Sequence, residues 1–226
     1  LIGLVGSEMC IRDRIGTDGG GVNSLDPVTE EFRHDRSTWG DKVVSITGFT
    51  RESILLSVFS KGLFVYNKEN GKRKPLPIDH PDLKQYIYYS GMAVNIYRDE
   101  PGSVLLLAGH TYRYDIGSQK IRVVNEEEGM EIAGSMNAIA HNERFTYLHD
   151  SRTLYELDRT GNRLKKLFSC TGDTLLYSVS MDEKGDFWIG SNTGLGQYSI
   201  RPRQYHPLIT SLFGEASSVI CDCLLY

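Results

Sequence analysis

Short stretches of alternating apolar and polar residues recur along the whole chain, each bounded by Gly, Asn, Asp or Pro, the pattern of half-buried β-strands joined by tight turns. The best-formed set begins with alternation over residues 177–181, turns at Asp182-Glu183-Lys184-Gly185-Asp186, and continues in the aromatic and β-branched run Phe187-Trp188-Ile189-Gly190. Ser191-Asn192-Thr193-Gly194 turns again, residues 195–198 read as a third strand and 203–208 as a fourth. The same order fits residues 139–167, with turns at Asn142-Glu143-Arg144 and Asp150-Ser151-Arg152. No window sustains a helical period, so the spacing predicts an all-β chain.

The set is a repeat. An apolar residue followed by a turn residue recurs at Leu25-Asp26, Tyr66-Asn67, Tyr114-Asp115, Leu157-Asp158 and Tyr198-Ser199, spaced by 41, 48, 43 and 41 residues. A second apolar anchor, at Ile46, Ile96, Ile139 and Val179, precedes the last four by 20, 18, 18 and 19 residues. A further copy of that upstream strand stands at Ser217-Ser218-Val219-Ile220. Periods of 40 to 50 residues built from four short strands are the signature of β-propeller blades. A four-stranded sheet with two apolar faces buries both only between neighbours. About five such blades are expected, as an open arc of a larger ring whose end faces lack partners. The Tyr86-Ile87-Tyr88-Tyr89 cluster falls in the longest inter-blade connection, as an insertion over the rim, and Trp188 in a second strand reads as packing between blades.

Of the 226 residues, 40% are apolar and 24% charged, the balance of a folded globular domain. The formal charge is −4, with Lys and Arg scattered, so no basic stripe exists for phosphates to follow and nucleic acid is not an expected partner. No apolar run approaches the roughly 20 residues of a membrane span, and no membrane contact is expected of this segment. The ends carry a different signal. Glu8-Met9-Cys10-Ile11-Arg12-Asp13-Arg14 resembles the translation of a transposase mosaic-end sequencing adapter, and Cys223-Leu224-Leu225-Tyr226 resembles that adapter read from the other strand. On that reading residues 1–14 and 223–226 are adapter-derived, and 15–222 are a partial domain cut from a larger protein. The two cysteines between them, Cys170 and Cys221, have no CxxC spacing; they specify neither a zinc site nor a disulfide framework and read as buried thiols.

Gly19-Gly20-Gly21 is not followed by Lys-Ser/Thr, so it reads as a tight turn and not a phosphate loop. His34, His80, His110, His141, His149 and His206 show no HxH or HExxH spacing, and neither a metal nor another cofactor is expected. Glu126-Glu127-Glu128 and Asp182-Glu183 read as solvated faces in preference to glycosidase carboxylates, leaving no catalytic residue assigned. A propeller commonly builds a binding site from polar side chains on equivalent turns. The turns after the second strands supply Asp18, His110, His149, Arg152 and Asn192. Trp39, in the loop before an inner strand, offers a flat face to a pyranose ring. These six are the candidate ligand-binding residues.

The stretch Ile15-Gly16-Thr17-Asp18-Gly19-Gly20-Gly21-Val22-Asn23-Ser24-Leu25-Asp26-Pro27-Val28-Thr29, followed by Glu31-Phe32, resembles the two-component-regulator propeller repeat. So does Phe187-Trp188-Ile189-Gly190-Ser191-Asn192-Thr193-Gly194-Leu195-Gly196-Gln197-Tyr198. The middle units are degenerate: residues 104–114 lack the Trp and the Gly-Leu. The resemblance implies the periplasmic sensor region of a hybrid two-component system, with seven blades to a ring and a histidine kinase across the membrane in a membrane-anchored homodimeric parent. It also implies an oligosaccharide ligand and a binding role for this fragment, not an enzymatic one. Two other classes stay open, since propellers host many functions: a carbohydrate-active lyase or glycosidase, and a protein-interaction scaffold.

Overall fold

The computed structural model describes residues 13–26, 28–90 and 93–209. Twenty strands arranged in five sheets, antiparallel but for one short pairing in the fourth, account for most of it. The first sheet holds β1 (Asp13–Thr17), β2 (Gly21–Leu25) and β3 (Phe32–His34); the second holds β4 (Val43–Gly48), β5 (Ser53–Val58), β6 (Gly62–Asn67) and β7 (Arg73–Pro75), in sequence order. Helix α1 (Pro81–Tyr89) leads to the third sheet, β8 (Asn95–Glu100), β9 (Ser103–Leu107), β10 (Thr111–Asp115) and β11 (Lys120–Val123). In the fourth, β12 (Asn125–Glu126) joins in parallel to β16 (Arg163–Ser169), beyond β13 (Asn137–His141), β14 (Phe145–His149) and β15 (Thr153–Asp158). The fifth is β17 (Leu176–Met181), β18 (Phe187–Ser191), β19 (Gly194–Ile200) and β20 (Arg203–Ile209). These are β-propeller blades, the first with three described strands and the fourth with five. The chain divides into two compact units, at Val123 and Val124.

Why the strands are so apolar is plain in β5. Every residue of Ser-Ile-Leu-Leu-Ser-Val is buried, because its sheet is covered on both faces. Ile54, Leu56 and Val58 pack with Val22 of the first sheet, while Leu55 points the other way into a cluster with Ile96, Val104 and Leu106 of the third. In the second unit Tyr147 and Leu154 pack on Phe187, Ile189 and Tyr198 of the next blade. Inner strands are tied to each other as well: the buried Ser45 hydroxyl on β4 accepts from the Ile96 amide of β8 at 3.1 Å. Each of the four described inner strands carries a register shift, the local irregularity that adds twist to a strand.

The repeat's turn residues close the hairpins. Asp26, Asn67, Asp115 and Asp158 each accept backbone N–H groups from two or three residues ahead, at 2.7–3.2 Å, between the third and fourth strands. Between the first and second strands Asn142 accepts from two and three residues ahead and Asp182 from two and four, the Asx mechanism that favours these residues in turns. Gly21 opens a third strand at φ 67°, where a Cβ would meet the Thr38 carbonyl at 2.2 Å, so no other residue fits.

The described residues are nearly all β, as the alternation predicts, and helix α1 is a short exception. Pro81 sits in its first turn and only nine residues are helical, so the window is too short for a period of 3.6 to stand out. Leu83 and Ile87 bury into the core of the second and third blades, and Tyr86 packs against it, while Tyr88 and Tyr89 are exposed. The insertion is therefore half core and half surface. Trp188 is half-buried, with its indole N–H donating to Asp182 at 3.1 Å. Among the described residues, Cys170 is a half-buried free thiol. Residues 1–12 and 223–226 of the adapter-like ends, Cys221 and residues 217–220 lie outside the described residues. Asp13 and Arg14, read with the N-terminal end, pair in register with Leu25 and Ser24.

Candidate functional site

In the second unit the turns after the second strands are anchors as much as surfaces. Asp150, 1% exposed, accepts four hydrogen bonds. Its Oδ1 takes the Arg152 and Thr153 amides at 2.7 Å each, and its Oδ2 takes the Ala133 amide at 2.8 Å and the Tyr155 hydroxyl at 2.7 Å. Burial and then this carboxylate push the Tyr155 hydroxyl pKa well above its ordinary range. Asn192, one residue past β18 as Asp150 is one past β14, repeats the device. Its Oδ1 accepts the Leu175 amide at 2.8 Å, and its Nδ2 donates to the Asp173 carbonyl at 2.9 Å. In both blades the side chain just past the second strand grips the loop that enters the same blade's inner strand.

The loop of residues 170–175, which carries the chain from the fourth blade to the fifth, is held from both. Arg152 donates through Nη1 to the Gly172 carbonyl at 2.8 Å, its own carbonyl accepts the Cys170 amide at 2.8 Å, and Ser151 accepts the Leu176 amide at 2.7 Å. Beside this loop opens a cleft of about 220 Å³. Phe168 and Tyr205, stacked at 5.0 Å, form an aromatic wall, and Thr171, Thr174 and Thr193 supply hydroxyls. Thr193 Oγ1 is engaged with Ser191 at 3.0 Å; the Thr171 and Thr174 hydroxyls have no hydrogen-bond partner among the described residues. Cys170 lines the same cleft, its thiol pKa pushed up by burial, so it is a neutral S–H there and no nucleophile.

The first unit builds its rim with charges. Asp18 and Lys42 form an isolated β-bridge and an ion pair at 3.0 Å. The Gly19 and Gly21 amides donate to the Asp41 carbonyl at 3.1 and 3.2 Å, and Gly40 donates to Gly19 at 3.0 Å. The Asp41 carboxylate, buried, binds Lys61 at 2.6 Å and also Arg73. Asp35 takes the Tyr66 hydroxyl at 2.5 Å; burial pushes its carboxyl up, but Tyr66 and Ser37 more than offset this and hold it below the usual range. Trp39, 74% exposed, stands on this braced loop beside the Asp18 turn.

The six predicted residues thus fall into two groups. Asp18 and Trp39 lie together on one loop cluster, and His110, in the turn after β9, is exposed with its ring edge-on to Tyr112 at 6.4 Å. Arg152 and Asn192 meet on the 170–175 loop. His149 is 7% exposed, and its Nδ1 lies 2.9 Å from the Asp150 carbonyl, which fixes the proton on Nδ1 because a carbonyl only accepts. Burial lowers its pKa, so it supports the turn from beneath. The residues missed by sequence reasoning are Asp150 and the cleft threonines. The repeat spacing of 41 residues puts Asp150 opposite Ser191, so its likeness to Asn192 emerges only from the hydrogen bonds the two make; the threonines carry no motif.

Among the described residues no group of His, Cys, Asp or Glu is placed to hold a metal ion, and no helix is long and apolar enough to cross a membrane. No family model matches the chain and no curated protein matches it, and no comparison supports an adapter origin for its ends. Solved structures do match. An extracellular domain attributed to the hybrid two component system BT4673 of B. thetaiotaomicron is 13% identical with TM-score 0.69, over 89% of this chain and 26% of that one. One attributed to the hybrid two component system BT3049 of the same organism is 15% identical with TM-score 0.63, over 90% and 29%. Virginiamycin B lyase of Staphylococcus aureus is 10% identical with TM-score 0.65, over 92% and 68%. The chain spans about a quarter of the length of the two extracellular domains, and at these identities the likeness establishes the fold, a β-propeller.

Proposed function

We infer that this chain is a ligand-sensing propeller segment from the periplasmic part of a hybrid two-component sensor histidine kinase, and that its ligand is a neutral oligosaccharide. The observation that carries the reading is the cleft beside residues 170–175, where a stacked aromatic pair faces unengaged threonine hydroxyls on a loop clamped by Arg152 and Asn192. An apolar ring face and several hydroxyl partners are what a pyranose requires. Its size suits one sugar unit, and Trp39 offers a second stacking surface on the first unit. The repeat-like stretch 187–198 supports the sensor class, as do the extracellular domains of hybrid two component systems among the fold matches.

Titration calorimetry of the whole chain against neutral plant and host oligosaccharides tests this. Binding that weakens at least tenfold in Thr171→Val/Thr174→Val, with the fold intact by circular dichroism, is the expected result. Failure of every oligosaccharide to bind, or binding indifferent to that double variant, overturns it. One observation favours an enzyme, the fold match to a lyase; cleavage of any oligosaccharide in the same assay decides for it.

A further inference from the structure

At the opposite ends of the strands, the fourth and fifth blades enclose a larger cleft of about 600 Å³. It is made by three turns: residues 142–145 between β13 and β14, 184–186 between β17 and β18, and 200–203 between β19 and β20. Arg144, Lys184, Arg201 and Arg203 line it, against the acids Glu156 and Asp186. In a chain of net charge −4, this is a local excess of cations.

The cations are also the least spoken for. Arg144 is spread over the Phe145 ring at 4.8 Å and reaches Asp158 at 3.4 Å. The side chains of Lys184, Arg201 and Arg203 have neither an ion pair nor a hydrogen bond among the described residues. The acids are the more compromised: Asp186 accepts from Gln197 at 3.3 Å, and Glu156 is half-buried on β15, where burial pushes its carboxyl pKa up in spite of Arg203. Three guanidinium groups and one ammonium, on three separate segments, match oxyanions better than any uncharged ligand.

We propose that this cleft is a binding site for a small organic polyanion, a molecule with two or more sulfate, phosphate or carboxylate groups, held by Arg144, Lys184, Arg201 and Arg203. It is separate from the neutral-sugar cleft at the other strand ends, and neither site requires the other.

The test is calorimetry of the whole chain at low salt with five probes: inorganic sulfate, a sugar phosphate, a sulfated disaccharide, digalacturonate and a neutral disaccharide. At least one polyanionic disaccharide or phosphate ester is expected to bind at least tenfold more tightly than the neutral one, and its identity assigns the oxyanion. Arg201→Ala/Arg203→Ala, both exposed, should weaken it at least tenfold and leave thermal stability and neutral-oligosaccharide binding unchanged. Glu156→Gln should tighten it a few-fold by removing the opposing charge. Equal binding of the neutral disaccharide once the other cleft is disabled by Thr171→Val/Thr174→Val, or anion binding untouched by Arg201→Ala/Arg203→Ala, overturns the proposal; loss of neutral-sugar binding in Thr171→Val/Thr174→Val leaves it standing.

Discussion

Asp150 concentrates more of the fourth blade's order in one side chain than any apolar residue around it. Two carboxylate oxygens serve three backbone amides and the Tyr155 hydroxyl, so replacing them leaves four donors competing for whatever water can enter, and an unsatisfied buried donor costs about 1–3 kcal/mol. Asp150→Ala should lower the stability to urea by about 3 kcal/mol. Asp150→Asn, which keeps one oxygen for the Arg152 and Thr153 amides, should cost less. An unchanged midpoint for Asp150→Ala would mean that the loop entering the inner strand is held by something else. His149 next to it predicts a pH dependence. The unfolded ring takes its proton near pH 6.5, but burial depresses the folded value, with the Asp150 carbonyl and carboxylate only partly opposing. The unfolded state then holds more protons below 6.5 than the folded state, so stability is complete above that pH and declines as pH falls, by at most about 1.4 kcal/mol per pH unit for one proton. Stability measured from pH 7.5 to 5 in wild type and His149→Gln checks this: the variant should show the shallower decline.

Among the elements, α1 joins the core of the second and third blades through Leu83 and Ile87. Leu83 is fully buried, so Leu83→Ala should cost about 2–4 kcal/mol by removing transfer energy and leaving a cavity, whereas Tyr89→Ala, at an 84% exposed position, should be near neutral. Thermal melts of the two separate a packed helix from a surface insertion. That helix marks where the sequence stops being legible. The strands of the last blade lie within a residue or two of their expected positions at 177–181, 187–190, 195–198 and 203–208, because alternation, Asx turns and the repeat all specify the same boundaries. Nine residues of α1, with Tyr86 and Ile87 both turned inward, carry no such redundancy; their order comes from the apolar surface they cover. The rim was half legible for the same reason. Position within the repeat located Arg152 and Asn192, but which turn residues point to solvent and which, like His149, point inward depends on backbone hydrogen bonds that the repeat does not encode. The short parallel β12 was likewise invisible, being a two-residue pairing of Asn125 and Glu126 with Arg163 and Leu164.

At the level of the whole molecule, a repeat array draws its stability from each unit and its neighbours and not from one global core. Three clusters among the described residues reflect this: one spans the first and second blades, one the second and third with α1, and one the fourth and fifth. Damage to one cluster should therefore be felt first by the blades that share it. Phe187 is the sharpest probe, since it is fully buried, meets Tyr147 edge-on at 5.1 Å and lies 6.5 Å from Tyr198. Phe187→Ala should cost about 3–5 kcal/mol and should not lower every amide equally. Native-state hydrogen exchange should quicken most in β13–β20, where local opening draws on the injured cluster, with β4–β6 as the internal reference. Uniform acceleration across β4–β6 and β13–β20 would instead show that all five blades unfold as one cooperative body. The candidate sites separate on the same measurement: both clefts of the fourth and fifth blades should lose their ligands in Phe187→Ala, while a sugar stacked on Trp39, carried by the loop braced through Asp41, should still bind.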